Sequence, residues 1–201
     1  MSWCYYKIVM LQRLKQALSQ RQKRCIVDAS RTSSAVLIPI FYKQEENHIL
    51  FTKRAETVRN HKGQISFPGG TYEEQDGTLV NTVLRECSEE IGLPAEVIEV
   101  LGELDDMPTV STNYIVSPFV AAIPWPHPLR VEPMEVKEII EVPISVLLDK
   151  DCGHEGIEIL DGEQIGAYFY HYREDVIWGA TARILNQFLN IYTQVMGDCG
   201  G

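Results

Sequence analysis

The sequence is short of several things, and each shortage closes off a class of protein. Its five cysteines, Cys4, Cys25, Cys87, Cys152 and Cys199, are odd in number and scattered, with no C-x-x-C pair. That spacing argues against a disulfide framework and a zinc knuckle, and it fits a reducing compartment. Apolar runs such as AVLIPIF (residues 35–41) fall far short of the ~20 residues that span a bilayer. The opening MSWCYYKIVM lacks the basic-then-apolar layout of a signal peptide, so the expected location is the cytoplasm, away from membranes. A basic surplus is missing too: the formal net charge is −10, which argues against nucleic acid as a partner, because phosphate backbones need a broad basic surface. A small phosphorylated ligand stays open.

What is present suits one folded unit. In 201 residues, 45% are hydrophobic and 23% charged, enough for a single full core. There are no internal repeats or low-complexity tracts. The spacing of Leu11, Leu14 and Leu18 predicts a short amphipathic helix over Leu11–Gln22, read as an N-terminal extension. SAVLIPIFY and NHILFTKR are rich in β-branched and aromatic residues and are separated by the polar KQEEN, which predicts a hairpin with a longer loop. ISFPGG ends the strand pattern, since Pro68 cannot continue a ladder and Gly69-Gly70 permits a close backbone approach. From Thr78 to Ile91 the period becomes helical, with Leu79, Val83 and Cys87 on one stripe and Gly92 as the stop. VIEVLGEL, YIVSPFVAAI, EIIEVPI and AYFYHY read as strands, Asp105-Asp106 as a turn, HPLRVEP as a loop and Ala180–Tyr192 as a closing helix, with Trp178-Gly179 packing at its start. Strands with two or three flanking helices predict an α/β arrangement around a mixed sheet.

One stretch of this pattern raises a chemical question. LRECSEEIGL puts Glu86, Glu89 and Glu90 within about one and a half helical turns, where like charges repel. Glu86 and Glu90 stack four apart, Glu89 is three from Glu86, and Arg85 precedes Glu89 by four. A solvated acidic surface is one reading. The other is a site for hard divalent cations, which take oxygen ligands and keep waters and substrate phosphates as the rest of their shell. Just upstream, Lys53, Arg54, Arg59, His61 and Lys62 face the single acid Glu56. This locally positive segment is open to two readings of its own, a solvated loop or a phosphate grip.

GGTYEEQDGTLVNTVLRECSEEIGL resembles a Nudix box, whose second half is matched by Arg85, Glu86, Cys87, Glu89, Glu90, Gly92 and Leu93. Asp76 stands at the acid position of the first half as an aspartate, one residue further from Arg85 than in the general pattern. LFTKRAETVRNHKGQISFPGG resembles the signature of the coenzyme A pyrophosphatase branch, through Thr52, Arg54, Ala55, Arg59, Gly63 and FPGG, and the longer box is typical of that branch. LGELDDMPTVSTNYIVSPFV, EVPISVLLD and IWGATARIL carry the likeness from about Ser30 to Leu189.

The resemblance implies a Nudix-type α/β/α sandwich with a mixed β-sheet. It is divided as an N-terminal helical extension over 1–28, the hydrolase domain over 29–192 and a tail over 193–201. It implies hydrolysis of the diphosphate of coenzyme A or its derivatives to 3′,5′-ADP and 4′-phosphopantetheine, or acyl-phosphopantetheine from thioesters, with Mg²⁺ or Mn²⁺ as cofactor. Glu86 and Glu90 are then the principal metal ligands, Glu89 a further ligand or the base, and Arg85 its orienting partner. Gly70 offers a backbone carbonyl to the metal, and Arg54 and Arg59 clamp phosphates. Glu135 and Glu138 lie where many relatives carry an additional acid, and His61 is open to either a substrate contact or a structural bond. A homodimer is open. Two other readings stand beside this one: a Nudix pyrophosphatase for NADH or ADP-ribose, and a non-catalytic Nudix-fold binding module, which the three intact glutamates disfavour.

Overall fold

The apolar runs at the front of the chain pair as expected, but with a tighter connection. In the computed structural model, which describes residues 3–57, 62–110, 112–160 and 163–197, β1 (Thr32–Lys43) and β2 (Glu46–Arg54) are antiparallel. Only Gln44 and Glu45 join them, both at positive φ, 50° and 68°. This is the two-residue turn whose twist matches that of the strands. Neither residue is the glycine or asparagine that normally signals such a turn, so the sequence suggested a longer loop.

The remaining strands build a mixed sheet of eight around this hairpin. β3 (Ile65–Ser66) and β4 (Gly69–Thr71) follow β2; β5 (Glu99–Glu103), β6 (Met107–Pro108), β7 (Tyr114–Ala122) and β8 (Val136–Pro143) complete the sheet. β7 runs parallel to β1 along Thr32–Ile40, while every other pairing is antiparallel. The opposite edge of β1 is shared: β2 takes its end, Ile40–Lys43, and β4 its beginning, Ser34–Val36. A gap in the sheet therefore opens beside β4. A second sheet of three holds β9 (Gly153–Leu160), β10 (Glu163–Tyr172) and β11 (Asp175–Ile177). Of these only the AYFYHY segment of β10 was legible as a strand; β9 is polar and glycine-interrupted.

Strand alternation sorts the apolar residues into two cores. Ala35, Leu37 and Phe41 of β1 face α2 (Leu79–Ile91), joining Val83, Cys87 and Ile91 of that helix. Ile38 and Ile40 face the other side, where α1 (Trp3–Gln20) and α4 (Gly179–Gly197) cover the sheet with Leu14, Leu18, Leu185 and Phe188. Helix, sheet and helix make the expected α/β/α sandwich; the short α3 (Ile144–Leu147) adds Ile144 and Leu147 to the second core. α1 begins and ends earlier than its leucine spacing suggested, and α4 begins one residue before the expected Ala180–Tyr192 and runs on to Gly197.

Asp105 and Asp106 do more than turn the chain. Asp105 accepts hydrogen bonds from Arg21, the Arg24 backbone and Gln187; Asp106 accepts from the Ile26 backbone and Ser117 and pairs with Lys23. They tie the segment after α1 to the body. Cys25, Cys87 and Cys152 are free thiols. Among the described residues no helix is long and apolar enough to cross a membrane.

Candidate active site

The site begins where the chain leaves β3 through Phe67 and Pro68. The Leu37 N–H donates to the Pro68 carbonyl at 2.9 Å, which draws the turn onto β1. Gly69 sits at φ +147°, and a Cβ there would lie 2.2 Å from the Ala35 carbonyl oxygen, so only glycine fits. At Gly70 a Cβ would fall 2.4 Å from a Glu86 carboxylate oxygen. The two glycines thus let the backbone press against β1 on one side and against the acidic helix on the other.

That helix is capped at both ends, at Gly92 as the sequence predicts and at Thr78 one residue before its first turn. The Thr78 hydroxyl accepts from the Asn81 N–H, and Gly92 at φ +66° returns its N–H and that of Leu93 to the last turn. With the apolar stripe fixed in the core, the three glutamates divide. Glu90 is buried at 4% exposure, and its Oε2 accepts the Gly69 N–H at 3.0 Å. The Glu86 side chain is 14% exposed, against Gly70. The Glu89 side chain is 60% exposed and held by Arg85 at 2.9 Å.

Arg85 is itself fixed from another direction. Its Nε and Nη2 donate to the two oxygens of Asp76 at 2.8 and 3.1 Å, Nη2 also reaches the Thr71 carbonyl, and Nη1 meets Glu86 and Glu89. Asp76 accepts further bonds from the Glu73 N–H and the Thr82 hydroxyl, each at 2.9 Å. The Arg85 bonds first, then the Glu73 N–H, hold the Asp76 carboxyl well below the usual carboxylate range. Asp76, whose position alone suggested no such role, is the anchor for the arginine.

Glu90 is shifted the other way. Burial pushes its carboxyl up to about 8, opposed by the Gly69 N–H and Arg54 and reinforced by the charges of Glu86 and Glu135. Burial raises Glu86 as well, against the attraction of Arg85. Both shifts name Glu135 as a nearby like charge. Glu138, bracketed with Glu135 in the sequence, is instead paired with Lys53 at 3.4 Å, and Lys53 also binds Asp175 at 2.7 Å.

Beside the glycine turn lies a cavity of about 320 Å³, lined by Gly69–Thr71, Arg54, Gln64, Tyr114, Trp178 and the first turn of α4. The Arg54 Nε is buried with no hydrogen-bond partner among the described residues, an unusual state for a donor. Arg59 and His61 lie outside the described residues. Trp178, expected to pack at the helix start, is 38% exposed on the cavity wall.

The NUDIX domain family matches residues 31–158. The chain belongs to the Nudix family. It is 39% identical over 154 residues to the uncharacterized Nudix hydrolase NudL of Photorhabdus laumondii, covering 77% of this chain and 81% of that protein. To the NudL of Yersinia pestis it is 36% identical over 157 residues, covering 78% of each. Among solved structures, a MutT/nudix family protein from Enterococcus faecalis superimposes with a TM-score of 0.58 at 18% identity, over 89% of this chain and 71% of that one, a likeness of fold.

Nudix hydrolases generally need divalent metals, and the donors here fit one. Glu86 and Glu90 offer desolvated carboxylate oxygens, offset by the Gly69 N–H and the charges of Arg85 and Arg54. Among the described residues no three His, Cys, Asp or Glu side chains gather as a complete cage. Two carboxylates leave coordination positions for water, a backbone carbonyl and phosphate oxygens, the arrangement Mg²⁺ favours.

Proposed function

We propose that this Nudix hydrolase cleaves the diphosphate of coenzyme A or its derivatives, giving 3′,5′-ADP and 4′-phosphopantetheine or the corresponding phosphopantetheine derivative, with Mg²⁺ or Mn²⁺ as cofactor. The observation that carries the reading is the seating of the Glu86–Glu90 face against Gly69-Gly70, next to a cavity that Arg54 lines. The likeness of residues 50–70 to the coenzyme A branch signature supports the substrate.

In this reading Glu86 and Glu90 hold the metal, with the Gly70 carbonyl as a further donor. Bound there, the metal would supply Lewis-acid neutralisation of the diphosphate and activation of water near neutral pH. Water adds to one phosphorus and the bridging oxygen leaves with the other, so two phosphomonoesters form. Glu89, exposed and aligned by Arg85, is placed to take the water's proton or to serve as a further ligand. Arg85 cannot drift, because Asp76 and the Thr71 carbonyl fix the rest of its guanidinium. Arg54 and Arg59 bind phosphate oxygens, where a planar fork outperforms an ammonium.

Hydrolysis of coenzyme A with Mg²⁺ or Mn²⁺, compared with dephospho-coenzyme A, NADH and ADP-ribose and resolved by chromatography, tests the reading. Metal-dependent release of 3′,5′-ADP, faster than turnover of the other three, is expected. Turnover of NADH or ADP-ribose alone would overturn the substrate while leaving the metal chemistry intact.

A further inference from the structure

The cavity wall opposite the glycine turn carries a residue that the hydrolysis itself does not use. Ile177, at the end of β11, is in the core at 1% exposure, while the next residue, Trp178, is more than a third exposed and lines the cavity. Gly179 at φ +65° then turns the chain into α4, so the indole stands at a sharp corner. Indoles are mostly well covered in folded chains, and an open one on a cavity wall presents a flat π-face to whatever enters.

The charge around it narrows the occupant. The chain carries 28 acids, yet among the described residues none lines this cavity, whereas Arg54 and Arg183 both do. An acid-free, arginine-lined cavity in an acidic protein suits an anion. Paired with a flat aromatic wall, it suits a planar group bearing phosphate. A neutral flexible arm would gain nothing from two guanidinium groups. At about 320 Å³ the cavity is at the lower end of the range for small-molecule sites.

We propose that Trp178 is the stacking platform for the substrate's nucleobase. The nucleotide half lies between Arg54 and the start of α4, and the diphosphate reaches the Glu86–Glu90 face. This rests on the hydrolase reading only in requiring a nucleotide substrate; the choice of coenzyme A is a separate matter.

Two measurements test it. Trp178→Leu, which removes the π-face, should raise KM roughly 5- to 150-fold, the range for removing an aromatic that stacks on a base. kcat should stay within about threefold, because the metal face is untouched. Trp178→Phe, which keeps an aromatic face, should restore KM to within about threefold of wild type. Independently of turnover, 5′-AMP and 3′,5′-ADP added to the metal-free protein should quench a fluorescence component that Trp178→Phe lacks, and 4′-phosphopantetheine should not. Unchanged KM in Trp178→Leu, or quenching by phosphopantetheine and not by either nucleotide, would overturn the proposal. If ADP-ribose or NADH proves to be the substrate, the kinetics are run on it: the coenzyme A assignment falls, while quenching by 5′-AMP still decides Trp178.

Discussion

Asp76 and Glu90 are carboxylates of one motif, about equally hidden from solvent at 8% and 4% exposure, and the fold treats them oppositely. Asp76 receives two guanidinium bonds, a backbone N–H and a hydroxyl. Glu90 receives one backbone N–H, from Gly69, and faces like charge from Glu86 and Glu135. The first is held ionised by donors supplied in the chain; the second is driven toward its neutral form. Burial alone therefore does not distinguish a structural acid from a functional one. The count of donors around it does: the fold completes the charge balance of Asp76 and supplies Glu90 with a single hydrogen-bond donor, which is what the proposed metal site requires.

The largest effects should come from breaking the comparison at its open end. Glu90→Gln and Glu86→Gln should each lower kcat/KM by roughly 10²–10³-fold, since each removes charge aimed at the reacting phosphate. In the absence of metal, Tm should hold or rise in these variants, because a neutral amide replaces a desolvated charge. Unchanged turnover in either would remove the metal-ligand assignment. Asp76→Asn should show the reverse balance: Tm falls by several degrees as Arg85 loses its anchor, while activity falls less than in the glutamine variants. Paired calorimetry and kinetics on the three variants check this.

Metal binding sharpens the same contrast on a smaller scale. Mn²⁺ at about 100 times its Kd should stabilise the wild type by about 2.7 kcal/mol, a Tm increase of roughly 5–10 °C for a chain of this size. Asp76→Asn should keep most of that increase and Glu90→Gln should lose it. Equal increases in both would place the cation elsewhere.

Acid should act selectively on the satisfied end. Because the folded-state pKa of Asp76 is depressed, its contribution is complete above the unfolded value, about 3.9, and is lost as pH falls toward the folded one. Wild type and Asp76→Asn should thus differ most in thermal stability above pH ~4 and converge between pH ~4 and pH ~2. Parallel curves over that range would deny the carboxylate its anchoring role.

Much of this was legible before the structure. Helical spacing and Gly92 located α2, and the box residues located Glu86, Glu89 and Glu90, because local periodicity and capping act over a few residues. What escaped was long-range. The division of the glutamates, with Glu89 outward and Glu86 and Glu90 against the glycines, depends on how α2 rolls on the sheet. Asp76 became an anchor only once the turn over residues 74–76 met Thr82 and Arg85. Trp178 came to the cavity through the pairing of β10 with β11, which no local pattern announces. The Gln44-Glu45 turn escaped for the opposite reason, since its backbone conformation is local but its residues are not the usual ones.

The smallest expected effect concerns the two acids that the sequence could not separate. Glu135 acts on both Glu86 and Glu90 through its charge, while Glu138 is engaged by Lys53 on the far side of β2. Glu135 is exposed, so solvent screens it and its pull on a cation is modest. Glu135→Gln should weaken Mn²⁺ affinity about two- to fivefold, the scale of one exposed charge interaction, with the larger loss at low ionic strength. Glu138→Gln should leave the affinity unchanged. Calorimetric titration of both variants at two salt concentrations separates them. A salt-independent loss of more than tenfold in Glu135→Gln would mean that this carboxylate binds the metal directly rather than across solvent, making it a third ligand beside Glu86 and Glu90.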